Sequence, residues 1–115
     1  MKGSVMDLNL VVLAGTLAVE PEIREFSSGA RLIRYLVTVR SSDPVRRVDV
    51  IPAVLWGPHD VLVDAPGRVH QRIWVAGRLQ RRFWSTDGDG RSRVELFAQS
   101  VQLDDGAGVL ELVAD

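Results

Sequence analysis

The segment from Gln71 to Trp84 constrains the fold more than any other part of this chain. Between Ile73 and Leu79 the odd-numbered positions are apolar or glycine, and the even-numbered positions from Arg72 to Gln80 carry arginine, tryptophan and glutamine, except for Ala76. A period of two is that of a β-strand with one face on a core. The turn residues Asp87-Gly88-Asp89-Gly90 follow, and Arg93–Leu103 is predicted to return as a second strand. We therefore expect a long antiparallel hairpin.

Three further strands are predicted upstream, at Leu8–Leu17, Leu32–Arg40 and Val48–Trp56. The only predicted helix, Asp60–Ala65, is barely longer than one turn and ends at Pro66-Gly67. Five strands with one short helical insert between the third and the fourth are the element order of an OB-fold barrel. The predicted fold class is therefore all-β, a five-stranded OB-fold barrel.

Three single residues carry further structural expectations. Tyr35 and Phe97 alternate with apolar neighbours and are predicted to be core residues. Pro52 has no N–H to donate to a sheet, which predicts an edge or a bulge within the third strand.

The length of 115 residues indicates one domain, which we place at residues 1–103, followed by a short acidic tail at 104–115. The chain has no cysteine, which excludes disulfides and thiolate metal sites. No long apolar stretch is present at the start or elsewhere, so neither a signal peptide nor a membrane span is expected. A cytoplasmic protein is the corresponding expectation.

The sequence shows no catalytic constellation. The two histidines, His59 and His70, lack metalloprotease spacing, and no nucleophile-elbow motif is present. We therefore expect a protein that is not an enzyme, with no metal and no cofactor.

The net charge is -1, but the basic residues are unevenly distributed. Residues 31–47 carry five arginines against one aspartate, and residues 68–93 carry seven arginines against two aspartates. Two basic stretches in a nearly neutral chain are compatible with a polyanionic partner, although solvated strand faces would give the same pattern. Arginine supplies thirteen of the fourteen basic residues, and its planar guanidinium binds phosphate and stacks on bases.

One face of the strand at 71–84 interleaves arginine with tryptophan. Its members are Arg72, Trp74, Arg78, Arg82 and Trp84. Single-stranded nucleic acid offers the complement, because it has phosphates for the guanidinium groups and unpaired bases for the rings. The position of Trp84, beside arginines and near the hairpin turn, favours a role in nucleic-acid binding. The position of Trp74 favours packing beneath a neighbouring subunit. Trp56 is compatible with either of two roles, covering the end of the core or stacking on a base.

These segments resemble the bacterial single-stranded DNA-binding proteins. NLVVLAGTLAVEPEIREFSSGARLIRYLVTVRS resembles their opening, RVDVIPAVLWG resembles their third strand, and RIWVAGRLQRRFWSTDGDGRSRVELFAQSVQL resembles their closing hairpin with its G-x-L-x-x-R-x-W pattern. The resemblance implies an OB fold, a homo-oligomer that is usually a tetramer, and sequence-independent binding of single-stranded DNA in replication, recombination or repair. Trp84 matches the family's stacking tryptophan after the fourth strand, and Trp56 matches its aromatic residue at the end of the third. Arg34 and Arg82 fall on positions that face the bound strand in the family. The predicted DNA-binding set is Trp56, Trp84, Arg34, Arg40, Arg47, Arg72, Arg78 and Arg82.

The chain departs from the family pattern in several places. Val50 stands where the family has a stacking tryptophan, Pro52 replaces a basic residue, and residues 41–47 contain no aromatic side chain. The insert after Trp56 is short, and residues 104–115 lack the long linker and acidic tip through which the family recruits replication and repair proteins. We therefore expect a divergent or accessory bacterial paralogue, associated with the nucleoid. An OB-fold protein-interaction module of the primosome type and an RNA-binding protein of the cold-shock type remain alternatives.

The first predicted strand is apolar on both faces. Leu10, Val12 and Ala14 alternate with another apolar row, and a small barrel has only one interior to cover either of them. A symmetric contact with a second copy would cover the remaining row. We expect a homodimer at least, and a tetramer by resemblance, with Leu10, Val12 and Trp74 in the interface.

Overall fold

The structure is a computed structural model that describes residues 6–86 and 89–104. Within these residues it contains six strands and one short helix. In chain order the elements are β1 (Val11–Leu17), β2 (Glu22–Glu25), β3 (Arg31–Ser41), β4 (Arg47–Trp56), α1 (Asp60–Asp64), β5 (Arg72–Thr86) and β6 (Asp89–Leu103).

The strands form one sheet that closes on itself. The lateral order is β1-β5-β6-β4-β3-β2, and β1 also pairs with β3 through Thr16 and Leu17. Five strands therefore complete the barrel, as predicted, and all pairings are antiparallel except the short contact between β4 and β6. That contact begins at Ala53, immediately after Pro52, so the proline lies at the edge position that its missing N–H favours.

The sixth strand, β2, was not predicted. Its sequence, Glu-Ile-Arg-Glu, has a single apolar residue, and all four residues are exposed. It exists because the turn that follows it folds the chain back, which brings β2 against Arg31–Arg34 of β3. Backbone pairing of this kind leaves no hydrophobic periodicity in the sequence.

The strand boundaries also differ at two ends. β1 begins at Val11 instead of Leu8, and the side chain of Asn9 takes over the pairing, since its amide donates to Leu79 O at 2.7 Å and accepts from Leu79 N at 2.8 Å. β6 begins at Asp89 instead of Arg93, so that the β5–β6 hairpin extends well beyond the barrel. The predicted turn residues Asp87-Gly88 and the predicted tail from Asp105 onward lie outside the described residues.

The barrel interior is built from alternating residues of β1, β3, β4, β5 and β6. Its largest buried side chains include Leu17, Ile33, Tyr35, Ile73 and Leu96, all with 0% exposure. Tyr35 is a core residue, as predicted.

The prediction that Phe97 is a core residue was wrong. It alternates with the inward-facing Leu96 and Ala98, so it lies half-buried on the opposite side of the sheet. That side, away from the barrel interior, is called the outer face below.

Two glycines allow the strands to approach closely. A Cβ atom at Gly15 would overlap the backbone carbonyl of Thr38 across the β1–β3 closure. A Cβ atom at Gly77 would overlap the carbonyl of Phe97, at the register shift between β5 and β6. At both positions only hydrogen fits, so the closure of the barrel depends on glycine.

Helix α1 has five residues and lies beside the barrel, where Leu62 packs against the core and Asp60 forms an ion pair with Arg31 at 2.9 Å. The hydrogen bond from Arg31 keeps the pKa of the Asp60 carboxyl below its usual value. Across residues 6–86 and 89–104, no helix is long and apolar enough to cross a membrane.

Candidate nucleic-acid interface

Four arginines and a tryptophan converge on one surface cleft of about 410 Å³. We call it the arginine cleft, and its lining residues are Arg24, Arg34, Arg82, Trp84 and Arg93. The residues come from β2, β3, β5 and β6, so the cleft exists only in the folded barrel.

The sheet order explains how distant segments meet here. β3 and β6 are both neighbours of β4, with Arg34 opposite Val54 and Val54 opposite Phe97. Val54 is 1% exposed, but it is not among the residues that form the core inside the barrel. It is therefore a buried apolar residue on the outer face of the sheet. Neighbouring strands lie about 4.8 Å apart, which lets arginine side chains from β3 and β6 reach across β4.

The positive charge of the arginine cleft is only partly compensated. Arg24 Nε lies 3.2 Å from Glu22 Oε1, whereas Arg34, Arg82 and Arg93 form no ion pair with any described residue. Arg34 Nε is buried without a hydrogen-bond partner in the described part of the chain. A buried donor without an acceptor is unfavourable, and an anionic ligand would satisfy it.

Two of these arginines are direct cross-strand partners. Arg82 of β5 lies opposite Arg93 of β6 in the hairpin register. Like charges at directly opposed positions destabilise a sheet. The free protein therefore carries an electrostatic cost at this site, which a bound phosphate would relieve.

Trp84 supplies an aromatic surface at the same cleft. Its side chain is exposed, and the guanidinium of Arg93 lies over its ring at 5.8 Å from the centroid. A cation over an indole face is attracted by the ring quadrupole. The site thus places an indole ring and unpaired guanidinium groups within reach of one nucleotide.

A second basic cleft, of about 440 Å³, lies at the connection between β3 and β4. It is lined by Arg40, Ser41, Ser42, Arg46, Arg47 and Val48. Arg40 donates to Thr16 Oγ1 at 3.2 Å, and Arg47 pairs with Asp49 at 2.9 Å. The hydrogen bond from Arg47 holds the pKa of the Asp49 carboxyl below its usual value.

The other two predicted arginines of β5 occupy separate surroundings. Arg78 lies over the ring of Phe97 at 4.8 Å, in the same lateral row as Arg34 and Val54. Arg72 lines a third cleft, of about 560 Å³, which also contains Arg68 and His70 but includes Glu20 and Asp104. Arg72 and Trp84 are twelve positions apart, which is about 40 Å along β5.

Trp56 stacks on Phe26, with ring centroids 5.5 Å apart and planes inclined by 19°. Phe26 belongs to the turn between β2 and β3, where it donates to Ala30 O at 2.9 Å. Both rings are partly exposed, Trp56 at 45% and Phe26 at 40%. This pair gives the outer face a second aromatic surface, which lies outside the arginine cleft.

The structure therefore brings together Arg34, Arg82 and Trp84 from the predicted set, and places Trp56, Arg40, Arg47, Arg72 and Arg78 elsewhere on the surface. Sequence reasoning missed Arg24, Arg93 and Phe26 as site residues. Arg93 was recognisable only as part of a basic stretch, and the other two depend on the β2–β3 hairpin.

Of the residues predicted for an oligomer interface, Val12 of β1 and Trp74 of β5 share the outer face, and Leu10 lies directly before β1. Leu10 is 66% exposed and Val12 is 55% exposed, and Val12 lies opposite Ala76. Trp74, opposite Ala14, is half-buried, and its Nε1 has no hydrogen-bond partner among the described residues. In the part of the chain that the structure describes, no group of three or more His, Asp or Glu residues could hold a metal ion.

Residues 8–104 match the model of the Single-strand binding protein family. The chain belongs to this family. The resemblance predicted from the sequence is therefore confirmed over most of the chain.

Named relatives agree with this assignment. A single-stranded DNA-binding protein of Treponema pallidum is 32% identical over 102 residues, which cover 84% of this chain and 58% of that protein. Single-stranded DNA-binding protein 2 of Streptococcus agalactiae is 29% identical over 99 residues, covering 83% of this chain and 76% of that protein. The chain thus spans little more than half the length of the Treponema relative.

A solved structure described as Plasmodium falciparum SSB complex with ssDNA is similar in fold. It superposes with a TM-score of 0.75 at 20% identity, covering 90% of this chain and 100% of that chain. At this identity the match concerns the fold, and it confirms the predicted OB barrel.

Proposed function

We propose that this chain binds single-stranded DNA without sequence preference, in DNA replication, recombination or repair, and that it is not an enzyme. The strand is held by arginine–phosphate contacts and by stacking of unpaired bases on exposed aromatic rings. The observation that carries the proposal is the arginine cleft, in which Arg82 and Arg93 face each other beside Trp84. Membership in a family of binding proteins supports it.

The composition of the cleft favours a single strand over a duplex. A duplex presents phosphates but keeps its bases stacked on one another, whereas a single strand offers each base face to an indole. Trp84 in the cleft and Trp56 outside it are both partly exposed. Arg40, Arg47, Arg72 and Arg78 extend positive charge over the rest of the surface and are proposed as further phosphate contacts.

A tryptophan-fluorescence titration tests this proposal. Oligo(dT) should quench the emission of Trp84 and Trp56, and its affinity should fall steeply as salt is raised, because neutralised phosphates release counterions. A duplex of equal length should bind more weakly at both salt concentrations. Equal affinity for the duplex, or no response to oligo(dT), would contradict the proposal.

We propose also that the chain assembles as a homodimer or tetramer through the face that carries Leu10, Val12 and Trp74. The exposed apolar row on β1 supports this, since a partner would remove it from water. A location in the cytoplasm, on the bacterial nucleoid, follows from the proposed DNA binding.

A protein-interaction module is the second candidate. The opposite face of the β5–β6 hairpin carries Leu79, Phe83 and Val94, which are 42%, 73% and 43% exposed. An apolar row of this kind is typical of a protein contact. An affinity that does not change with salt, or tryptophan emission that oligo(dT) does not quench, would favour this candidate over DNA binding.

A further inference from the structure

One face of the Trp84 indole is partly covered by a side chain of the protein itself. The guanidinium of Arg93 lies over the ring, 5.8 Å from its centroid. Both side chains line the arginine cleft, which places the covered face beside the space that a ligand would enter. In the free protein, a base can therefore use only the part of the indole that Arg93 leaves exposed.

The register of the β5–β6 hairpin determines which arginine covers the ring. Arg91 is directly opposite Trp84, whereas Arg93 is its diagonal neighbour and is directly opposite Arg82. Long side chains at diagonal positions of an antiparallel pair can reach one another. Among the described residues, the cation that lies over this indole is that of Arg93. The contact thus belongs to one of two neighbouring arginines on the same face of β6.

Arg93 is held on the indole only weakly. It forms no ion pair with any described residue, and the residue directly opposite it, Arg82, carries the same charge. A cation over an exposed aromatic ring gains little, whereas a guanidinium that binds phosphate forms short, charge-assisted hydrogen bonds that are often bidentate. A phosphate that enters the arginine cleft therefore competes successfully with the indole for this guanidinium.

We propose that Arg93 is a specificity-determining residue that makes full stacking of a base on Trp84 conditional on a phosphate. Without an anion, the guanidinium occupies the ring face. When a phosphate binds, the guanidinium moves to it and the ring face becomes available to the base of the same nucleotide. An uncharged aromatic ligand must displace Arg93 without this compensation. The inference rests on the proposed DNA binding and names what the cleft selects, which is a base that brings its own phosphate.

The test compares two thymine strands of equal length, oligo(dT) and the same sequence with uncharged methylphosphonate linkages. Arg93→Gln should bind the uncharged strand about two- to five-fold more tightly than the unmodified protein does, the range that corresponds to one exposed cation–π contact. The same variant should bind oligo(dT) more weakly, because a phosphate contact is lost. One substitution is thus expected to change the two affinities in opposite directions.

Two further variants assign the gain to the contact between Arg93 and Trp84. Arg91→Gln removes the same charge from the residue directly opposite Trp84 and should leave the affinity for the uncharged strand unchanged. Trp84→Ala combined with Arg93→Gln should abolish the gain, since no indole is left to uncover.

A measurement on the unmodified protein needs no variant to fold. Inorganic phosphate alone, added at constant ionic strength, should change the tryptophan emission, because it draws the guanidinium away from the indole. The emission of Arg93→Gln should not respond.

An affinity for the uncharged strand that does not rise in Arg93→Gln would overturn the role of Arg93 and leave the proposed DNA binding intact. An equal rise in Arg91→Gln would overturn it as well, because a general loss of charge would then explain the gain. Emission of the unmodified protein that does not respond to phosphate would also contradict the displacement. Failure of oligo(dT) to bind the unmodified protein would overturn both proposals.

Discussion

The guanidinium of Arg93 lies over the indole of Trp84, 5.8 Å from the ring centroid, and the two residues come from opposite strands of the β5–β6 hairpin. They are diagonal neighbours, because Trp84 pairs with Arg91 and Arg93 pairs with Arg82. The cation covers part of one ring face, and a base would stack on the remaining exposed surface. A nucleotide bound there would have its phosphate close to Arg82 and Arg93.

Replacing Trp84 with alanine should weaken oligo(dT) binding about five-fold or more, because base–aromatic stacking contributes about 1–3 kcal/mol per base. Fluorescence anisotropy of a labelled oligo(dT) measures the change. Phe83→Ala is the matched control, since Phe83 is the adjacent residue, is 73% exposed and lies on the opposite face of β5. An equal loss in both variants would contradict a specific role for Trp84.

The double variant Arg82→Gln with Arg93→Gln should reduce the salt dependence of binding. Each lost phosphate contact lowers the log–log slope by about 0.7 for single strands. Arg81→Gln is the control, because Arg81 donates to Ser92 Oγ on the other face of the hairpin and should leave the slope nearly unchanged. The Tm of the double variant should not fall, since the change removes two opposed like charges. A slope that stays at the unmodified value would exclude these arginines as phosphate contacts.

Val12→Asp should dissociate the assembly or make the protein insoluble, because it places a carboxylate on the exposed apolar row of β1. Light scattering should give the unmodified chain a mass well above 12.7 kDa. Val48→Asp provides the comparison, since Val48 is 58% exposed on β4 and is not in the proposed interface. A mass near 12.7 kDa for the unmodified chain at micromolar concentration would contradict the oligomer.

Gly77→Ala should destabilise the barrel by about 1–3 kcal/mol, the usual cost of forcing an extra carbon into a packed site. The added Cβ would overlap the carbonyl of Phe97. Gly90→Ala in the same hairpin meets nothing within contact distance and should have little effect. Urea denaturation followed by circular dichroism gives the free energy of unfolding of each variant. Equal stability of the two variants would show that the close approach of β5 and β6 does not require glycine at position 77.

Tyr35→Phe should leave the protein as stable as before or more stable, because the Tyr35 hydroxyl is buried without a hydrogen-bond partner in the described structure. Burial raises the pKa of Tyr35 above its ordinary value. The unfolded chain then loses its proton near pH 10 while the folded chain keeps it, so stability falls as pH rises above about 10. The phenylalanine variant should show a smaller loss of Tm between pH 9 and pH 11, values chosen to bracket that pKa.

The sequence by itself determined the five strands of the barrel, the core face of most of them and the family. Period-two alternation is a local property, so it placed Tyr35 inside and predicted the long hairpin from its pattern and turn residues. The G-x-L-x-x-R-x-W motif contains Arg82 and ends at Trp84, and both residues, which the sequence singled out, line the arginine cleft.

Only the tertiary structure decided which arginines meet. Arg24 and Arg34 join Arg82 and Arg93 because the closed barrel sets β3 and β6 on either side of β4, and no local pattern records that lateral order. Alternation also failed to show which of two apolar rows faces inward, so Phe97 was assigned to the core although it lies under Arg78 on the outer face. The alternation of side chains is fixed by the geometry of a single strand. Which residues form a surface depends instead on strand order, register, bulges and hairpin length, and these involve several strands at once.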